Sequence, residues 1–147
     1  MSRESIRPFA TADAESVIAL WNACGLTRPW NDPARDIMRK IGDSPWGFLV
    51  AEIDGTIVGA MMVGFDGHRG SINYLAVASA ERGTGLGRRL VEHAERLLLE
   101  RDCPKVNLSV RGDHAGAIAF YEHLGYVVED AHHAVALGHR LIADDKG

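Results

Sequence analysis

Apolar and polar positions recur along the chain with two different periods, which divide it into strands and helices. Short apolar or alternating runs bounded by turn residues predict strands at residues 5–9, 46–53, 56–65, 72–77, 105–110, 126–129 and 135–141. Apolar residues spaced three and four apart predict helices at residues 12–24, 33–41, 86–98 and 115–124. The pattern therefore predicts a mixed α/β (α+β) fold with six to seven strands and about four helices.

Turn and cap residues indicate how these elements connect. Asp54-Gly55 is typical of a type I′ hairpin turn, and residues 66–70 form a second turn, so three strands make an antiparallel meander. Residues 105–110 follow a strand–helix unit, which favours a strand parallel to residues 72–77. Thr11 is predicted to cap the first helix and Asp32 the second, which has proline at its first position.

Composition narrows the class of protein. The 147 residues are typical of one domain, predicted here as residues 1–147, and the 46% hydrophobic residues are enough for a core. A net charge of −4 argues against a general nucleic-acid or membrane-surface binder. Cys24 and Cys103 lie in no CxxC motif and are interpreted as free thiols. No apolar run has transmembrane length, so the expected location is the cytoplasm.

A glycine-rich segment between a predicted strand and the longest predicted helix carries the strongest chemical signal. Gly83, Gly85 and Gly87 allow a tight turn in which the backbone N–H groups of a helix start can contact a ligand. Arg82 and Arg88 stand in this segment, and guanidinium groups match phosphate oxygens. The segment therefore predicts a phosphate or pyrophosphate site. Its glycine spacing matches neither a dinucleotide fingerprint nor a P-loop.

Two motifs together resemble a known family. Arg82, Gly85 and Gly87 fit the pattern Arg-x-x-Gly-x-Gly, and residues 117–126 read AIAFYEHLGY. Both motifs, in this order and with a strand between them, resemble the GNAT family of acetyl-CoA-dependent N-acetyltransferases. With the meander, the resemblance covers nearly the whole chain. Residues 28–33 and 66–70 further resemble the bacterial YpeA-type subgroup, which implies little about the substrate.

The resemblance implies a fold and a cofactor site. In the family, the strands equivalent to residues 72–77 and 105–110 are a central parallel pair that splays apart, and the pantetheine arm of acetyl-CoA enters the gap. The residues expected to bind acetyl-CoA are Leu75, Ala76, Val77, Arg82, Gly83, Thr84, Gly85, Leu86, Gly87, Arg88 and His114. His114 stands where the family often has an asparagine that bonds the pantetheine arm, and a histidine can also donate and accept a hydrogen bond.

The resemblance also assigns Tyr121 as the general acid for the departing thiolate. A phenol suits this role because it is neutral at pH 7 and can donate a hydrogen bond. The alternative interpretation is a helix tyrosine that packs on Ala117 and Leu124. No general base is identified: Asn73 stands nearest to the position where many family members have glutamate, and an amide cannot serve. Two alternatives for deprotonation remain: the amine arrives neutral, or a residue acts as base through a water molecule. The candidates for such a base are Asp66, His68 and Glu52.

The acceptor is expected to be a primary amine on a small molecule or peptide. Residues with suitable polar or aromatic side chains near the predicted site are Trp30, Asn31, Asp66 and Asn73. Trp30 could instead plug the core. A non-catalytic acyl-CoA sensor on the same fold, and more weakly a structural protein, are the rival functions. A homodimer is a family-level expectation. A metal site at His132, His133 and His139 is disfavoured, because adjacent strand histidines point to opposite faces.

Overall fold

Helices and strands alternate irregularly along the chain. The computed structural model of the protein describes residues 4–110, 115–129 and 135–143. The helices there are α1 (Ala14–Ala23), α2 (Pro33–Asp43), α3 (Leu86–Leu99) and α4 (Ala115–His123). The strands are β1 (Glu4–Pro8), β2 (Phe48–Ile53), β3 (Thr56–Phe65) and β4 (Gly70–Val77). The described residues form two compact units, one ending at Asn107 and one from Leu108 to Ala143.

The four strands form one sheet in the order β1-β2-β3-β4, and each neighbouring pair is antiparallel. Asp54 and Gly55 join β2 to β3 with φ angles of 49° and 83°. Positive φ at both central residues is the signature of a type I′ turn, so that prediction is confirmed. The meander of β2, β3 and β4 is confirmed as well. In this sheet β4 is an edge strand.

The number of strands was predicted wrongly, because the described residues contain four strands rather than six to seven. Residues 105–110 form no strand, but Val106 makes a parallel bridge with Gly70, which confirms the predicted direction. The bridge consists of Gly70 N donating to Lys105 O at 2.8 Å and Asn107 N donating to Gly70 O at 2.9 Å. The described parts of residues 126–129 and 135–141 also lie outside strands. Alternation reports which side chains share a face, whereas a strand also needs a partner for its backbone.

Helices cover both faces of the sheet. On one face α1 and α2 pack over a core centred on Trp21, whose ring is fully buried and stacks 6.1 Å from that of Phe48. On the other face α3 crosses β3 and β4. Gly59 permits this approach, since a Cβ there would lie 3.1 Å from Leu90 Cδ1 and 3.2 Å from Ala51 Cβ.

The helix caps follow the sequence prediction at α2 but not at α1. Asp32 Oδ1 accepts a hydrogen bond from Ala34 N at 3.0 Å, as expected for an N-cap. Before α1, however, residues Thr11–Asp13 form a 3₁₀ turn, and the carboxylate of Asp13 accepts from Ala10 N at 2.8 Å. Arg7 donates to both oxygens of the same carboxylate at 2.8 and 3.0 Å. Asp13, held by an ion pair with β1, therefore stands at the N-cap of α1 in place of Thr11, although its carboxylate makes no capping hydrogen bond to α1.

Gly70 and Gly42 offer opposite tests of this packing. A Cβ at Gly70 would lie 2.8 Å from Leu98 Cδ1 and 3.0 Å from Cys103 Sγ, whereas a Cβ at Gly42 in α2 meets nothing within 4 Å. We expect Gly70→Ala to lower the free energy of unfolding by about 1–3 kcal/mol through overpacking. Gly42→Ala should raise it by up to about 1 kcal/mol through helix propensity. Urea unfolding of both variants measures these changes, and equal effects would contradict the packing described for Gly70.

Candidate active site

The glycine-rich segment lies between β4 and α3. A short 3₁₀ turn, Ser79–Glu81, follows β4, and the chain then reaches α3 through Gly83 and Gly85. The φ angles of these two glycines are 80° and 87°, a left-handed conformation that residues with a Cβ rarely adopt. The prediction that glycines turn the chain here, and that a helix begins at Leu86, is therefore confirmed.

The first turn of α3 presents backbone N–H groups to the surface. Its N-cap is Gly85, which has no side chain with which to cap them. The first helical bond runs from Arg89 N to Gly85 O at 3.0 Å, so the N–H groups of Leu86, Gly87 and Arg88 precede the helical ladder. Residues 82–85 are exposed. Because the N-terminus also carries the positive end of the helix dipole, this turn can bind an anion.

The three arginines around this turn have different surroundings. Arg89 donates to both carboxylate oxygens of Glu4, at 2.6 and 2.5 Å, and to Thr84 O at 3.1 Å, so it braces the loop against β1. Arg88 pairs with Glu92 at 2.9 Å, an exposed contact of low strength. Arg82 has no carboxylate partner among the residues that the structure describes, and its nearest recorded side-chain contact is Cys24 Sγ at 4.0 Å. Arg82 is thus best placed to give its charge to a ligand.

A β-bulge interrupts β4 at Tyr74 and Leu75. Ala76 lies opposite Ala60 and Asn73 opposite Met62, so β4 has one more residue than β3 in this interval. Tyr74, inside the bulge, has a φ of 55°. Its ring stacks on Trp21 at a centroid distance of 4.0 Å, and Trp21 Nε1 donates to Tyr74 O at 3.2 Å. Tyr74 Oη donates to Asp36 Oδ2 at 2.6 Å. These contacts hold the bulge in place.

A cleft of about 510 Å³ opens beside this bulge. It is lined by apolar, amide and charged side chains of α2, its preceding loop, β3 and β4: Leu26, Asn31, Asp36, Arg39, Lys40, Asp43, Met62, Asn73 and Tyr74. Two of the four predicted acceptor residues, Asn31 and Asn73, thus meet at one cleft. Trp30 is 56% exposed and is not part of its lining, so it does not plug the core.

Asp66, the fourth predicted acceptor residue, has a structural role in the turn between β3 and β4. Its carboxylate accepts hydrogen bonds from the backbone N–H groups of His68 and Arg69, both at 2.7 Å. These bonds lower the pKa of the Asp66 carboxyl from its usual range. Asp66 does not line the cleft.

Charged side chains at the cleft were not predicted from the sequence. Asp36 pairs with Arg39 at 3.4 Å, one helical turn away. Lys40 Nζ donates to Ser44 Oγ at 2.8 Å and to Val63 O, and Ser44 Oγ donates to Asp43 Oδ2 at 2.8 Å. Burial lowers the pKa of the half-buried Lys40 ammonium. The sequence pattern that could have indicated these residues is the charged face of α2, but such a face is typical of an ordinary solvent-exposed helix surface.

Tyr121 belongs to the second unit. It lies near the end of α4, where its ring contacts Phe120 and Tyr126 edge to face at 5.0 and 5.4 Å. The helix ends at His123, one residue before the predicted end, and is followed by Gly125 with φ of 95°; Tyr126 N donates to Tyr121 O at 3.0 Å. Burial raises the pKa of the Tyr121 phenol to about 12. His114 lies outside the described residues.

Two other features of the described chain bear on function. Within residues 4–110, 115–129 and 135–143, no three histidine, cysteine, aspartate or glutamate side chains cluster as metal ligands would. His132 and His133 lie outside these residues. In the same ranges, no helix combines the length and the apolar character needed to cross a membrane.

Comparisons with known proteins bear on the activity. The sequence profile of the acetyltransferase (GNAT) family matches residues 14–126. An acetyltransferase of Sodalis glossinidius (strain morsitans) is 48% identical over 141 residues, covering 96% of this chain and 98% of that protein. Ard1 from Thermoplasma volcanium superposes with a TM-score of 0.77 at 29% identity, covering 85% of this chain and 83% of that one. Naa20 of Chaetomium thermophilum, in complex with a bisubstrate analogue, gives 0.70 at 27% identity, covering 84% and 71%.

The extent of these matches goes well beyond the two short motifs. The profile spans α1 through the end of α4, and the Sodalis relative aligns along almost the whole chain. The glycine turn, the exposed start of α3 and the β4 bulge all lie inside the matched region. The chain is an N-acetyltransferase and belongs to the acetyltransferase (GNAT) family.

Proposed function

We propose that the protein moves the acetyl group of acetyl-CoA to a primary amine by direct attack. The amine nitrogen forms a bond to the thioester carbonyl carbon, and the carbon–sulfur bond breaks. The nitrogen loses one proton and the sulfur leaves as a thiolate that gains one, so the products are an N-acetyl amine and CoA. The observation that carries this proposal is an edge strand, β4, that leads into the uncapped start of α3.

The backbone of β4 supports the donor half of the site. Beyond its bridge with Val106, the outer edge of β4 has no strand partner among the residues described. Leu75, Ala76 and Val77 lie on this part of the strand, and an extended pantetheine arm can pair with such an edge as an added strand would. The pyrophosphate would then meet the N–H groups of Leu86–Arg88, with Gly83, Thr84 and Gly85 letting it approach and Arg82 adding charge. His114 stays a prediction.

The bulge supports a way to polarise the thioester carbonyl. An extra residue in β4 turns the local backbone out of the regular ladder. We assign a backbone N–H at Leu75 or Ala76 to the developing oxyanion, because preorganised donors at this position stabilise charge that appears only in the transition state. Trp21 and Asp36, which hold Tyr74, would keep this donor in place.

Tyr121 would act as a hydrogen-bond donor to the sulfur. A thiol has a pKa of about 8.5, well below that of the Tyr121 phenol, so full proton transfer from the phenol to the thiolate is uphill. The hydrogen bond still stabilises the charge on sulfur as the carbon–sulfur bond breaks. Asn73 at the cleft is an amide and cannot act as a base, and we propose that the amine arrives neutral or loses its proton to solvent.

The first prediction concerns the glycine turn. Gly85→Ala places a Cβ on a residue with φ of 87°, 2.9 Å from Arg89 Nη1, and so should displace the N–H groups at the start of α3. We expect the Kd for acetyl-CoA, measured by calorimetric titration, to rise about 10-fold or more. Gly67→Ala is the matched control, because Gly67 has φ of 91° and open space in a turn away from this site.

Several outcomes of this titration are informative. Wild-type protein should bind acetyl-CoA and not NAD or ATP. Gly67→Ala should lose comparable stability through the same backbone strain but keep the wild-type Kd. If the wild type fails to bind acetyl-CoA, or if both variants weaken binding equally, the assignment of the α3 N-terminus to the pyrophosphate is wrong.

The second prediction concerns Tyr121. Tyr121→Phe removes the phenol but keeps the ring contacts, so kcat should fall about 10- to 100-fold with little change in the Kd for acetyl-CoA. Tyr126→Phe, in the same aromatic group, is the control and should keep kcat. Thiol release from acetyl-CoA in the presence of an amine reports the rate. Full turnover by Tyr121→Phe would exclude the proposed role.

The third prediction concerns pH. Because the raised pKa keeps the Tyr121 phenol protonated, its titration should not affect kcat between about pH 6 and about pH 10. The ratio of wild-type kcat to Tyr121→Phe kcat should therefore be constant over this range, even where deprotonation of the amine raises both rates. A ratio that falls towards 1 as the pH rises to 9 would show that the phenol ionises much earlier.

A further inference from the structure

We infer that the acceptor is a small zwitterion, with an anionic group a few atoms from the amine that is acetylated, and that it binds in the cleft beside β4. The chemical class of this acceptor is that of a free amino acid or a short peptide with a free carboxylate. This inference rests on the proposed acetyl transfer and names the substrate class of the same site.

The end of the cleft that would hold the amine is the one nearest to the acyl donor along β4. Asn73 and Tyr74 line the cleft and immediately precede Leu75, where the thioester carbonyl is proposed to lie. The Asp36 carboxylate reaches the same point, since it accepts the 2.6 Å hydrogen bond from Tyr74 Oη. A carboxylate and a phenol oxygen are acceptors that suit an amine or ammonium group.

The anionic end is marked by Lys40. This ammonium lines the cleft and is half-buried, and burial lowers its pKa although the nearby Asp43 carboxylate acts in the opposite direction. Its recorded bonds, to Ser44 Oγ and to Val63 O, use two of its three N–H donors. Arg39 lies one residue earlier on the same helix and also lines the cleft. Arg39 also pairs with Asp36 at 3.4 Å, and a carboxylate or phosphate placed between the two cations would accept hydrogen bonds from both.

The formal charge of the cleft favours a zwitterionic acceptor over a polycationic one. The cleft has two carboxylates, Asp36 and Asp43, and two cations, Arg39 and Lys40, so its formal charge is zero. Each additional ammonium of a polyamine would approach Arg39 or Lys40 in a partly desolvated site, where like charges repel strongly. The volume of about 510 Å³ is also that of a small-molecule site.

The experiment compares the rates of acetyl transfer to acceptors of different charge. Wild-type protein with saturating acetyl-CoA is given L-amino acids and dipeptides, the corresponding C-terminal amides, and spermidine, and thiol release is followed. We expect kcat/KM for the best acid to exceed that for its amide about 10- to 100-fold. The amide makes the neighbouring amine less basic and so more often neutral, hence ionisation of the amine cannot explain a preference for the acid.

Variants of α2 locate the anionic group. Arg39→Gln should raise the KM for the acid about 10-fold relative to that for the amide, which removes the discrimination. Because Arg39 also pairs with Asp36, the ratio of the two KM values is the readout. Arg35→Gln is the matched control: Arg35 pairs with Asp32 at the same i,i+3 spacing, outside the lining of the cleft, and should discriminate as the wild type does. Asp36→Asn should weaken acid and amide alike, because both present the amine.

The outcomes distinguish failure of the zwitterion assignment from failure of the proposed acetyl transfer. Preference for the amide or for spermidine, or equal use of acid and amide, would overturn the zwitterion assignment and leave acetyl transfer standing. Equal effects of Arg39→Gln and Arg35→Gln would overturn the placement in this cleft. Absence of thiol release with every amine, despite bound acetyl-CoA, would overturn the proposed transfer and this inference together.

Discussion

The left-handed conformation of Tyr74 is the constraint on which the site depends. A non-glycine residue at φ of 55° costs about 1–3 kcal/mol and persists only where its surroundings impose it. Here the imposing group is Trp21, fully buried in the core, which stacks on the tyrosine ring and donates to its carbonyl oxygen. Core packing of α1 against the sheet thus fixes the bulge of β4. The bulge in turn sets the backbone of Leu75 and places the tyrosine hydroxyl at the cleft.

The same constraint joins the two halves of the proposed reaction. On one side of the bulge β4 continues through Val77 to the glycine turn and the start of α3, where an anion can bind. On the other side Asn73 and Tyr74 line the cleft with Asp36. Donor and acceptor would therefore meet at a point held by a buried tryptophan rather than by a surface loop. Rigid placement of this kind suits a reaction that proceeds by direct attack, because the rate depends on alignment of the reacting atoms.

The sequence predicted the elements that local chemistry specifies and missed those that depend on contacts distant in sequence. The Asp54-Gly55 turn, the start of α3 after Gly85 and the end of α4 before Gly125 follow from residues within a few positions. The bulge could not be predicted, since it requires Trp21 to meet Tyr74 across 53 residues. The overestimated strand count has a related cause, because alternation identifies a face but not a partner. The ion pair between Arg89 and Glu4, 85 residues away, likewise leaves no mark in the local sequence.

The two halves of the proposed site also differ in composition, since one uses mainly backbone groups and the other side chains. This difference explains why the sequence reveals the family and not the acceptor. Backbone N–H groups and an open strand edge make up most of the proposed donor half, so its mark in the sequence is a set of glycines whose conformation few other residues can adopt. The proposed acceptor half consists of side chains of α2 and β4, and the patterns of these elements would tolerate other residues at the same positions. We expect a change at Arg39 to leave the fold and the glycine turn intact, because this side chain is exposed on α2. Proteins that share this donor site can therefore differ in acceptor through the charges of the cleft.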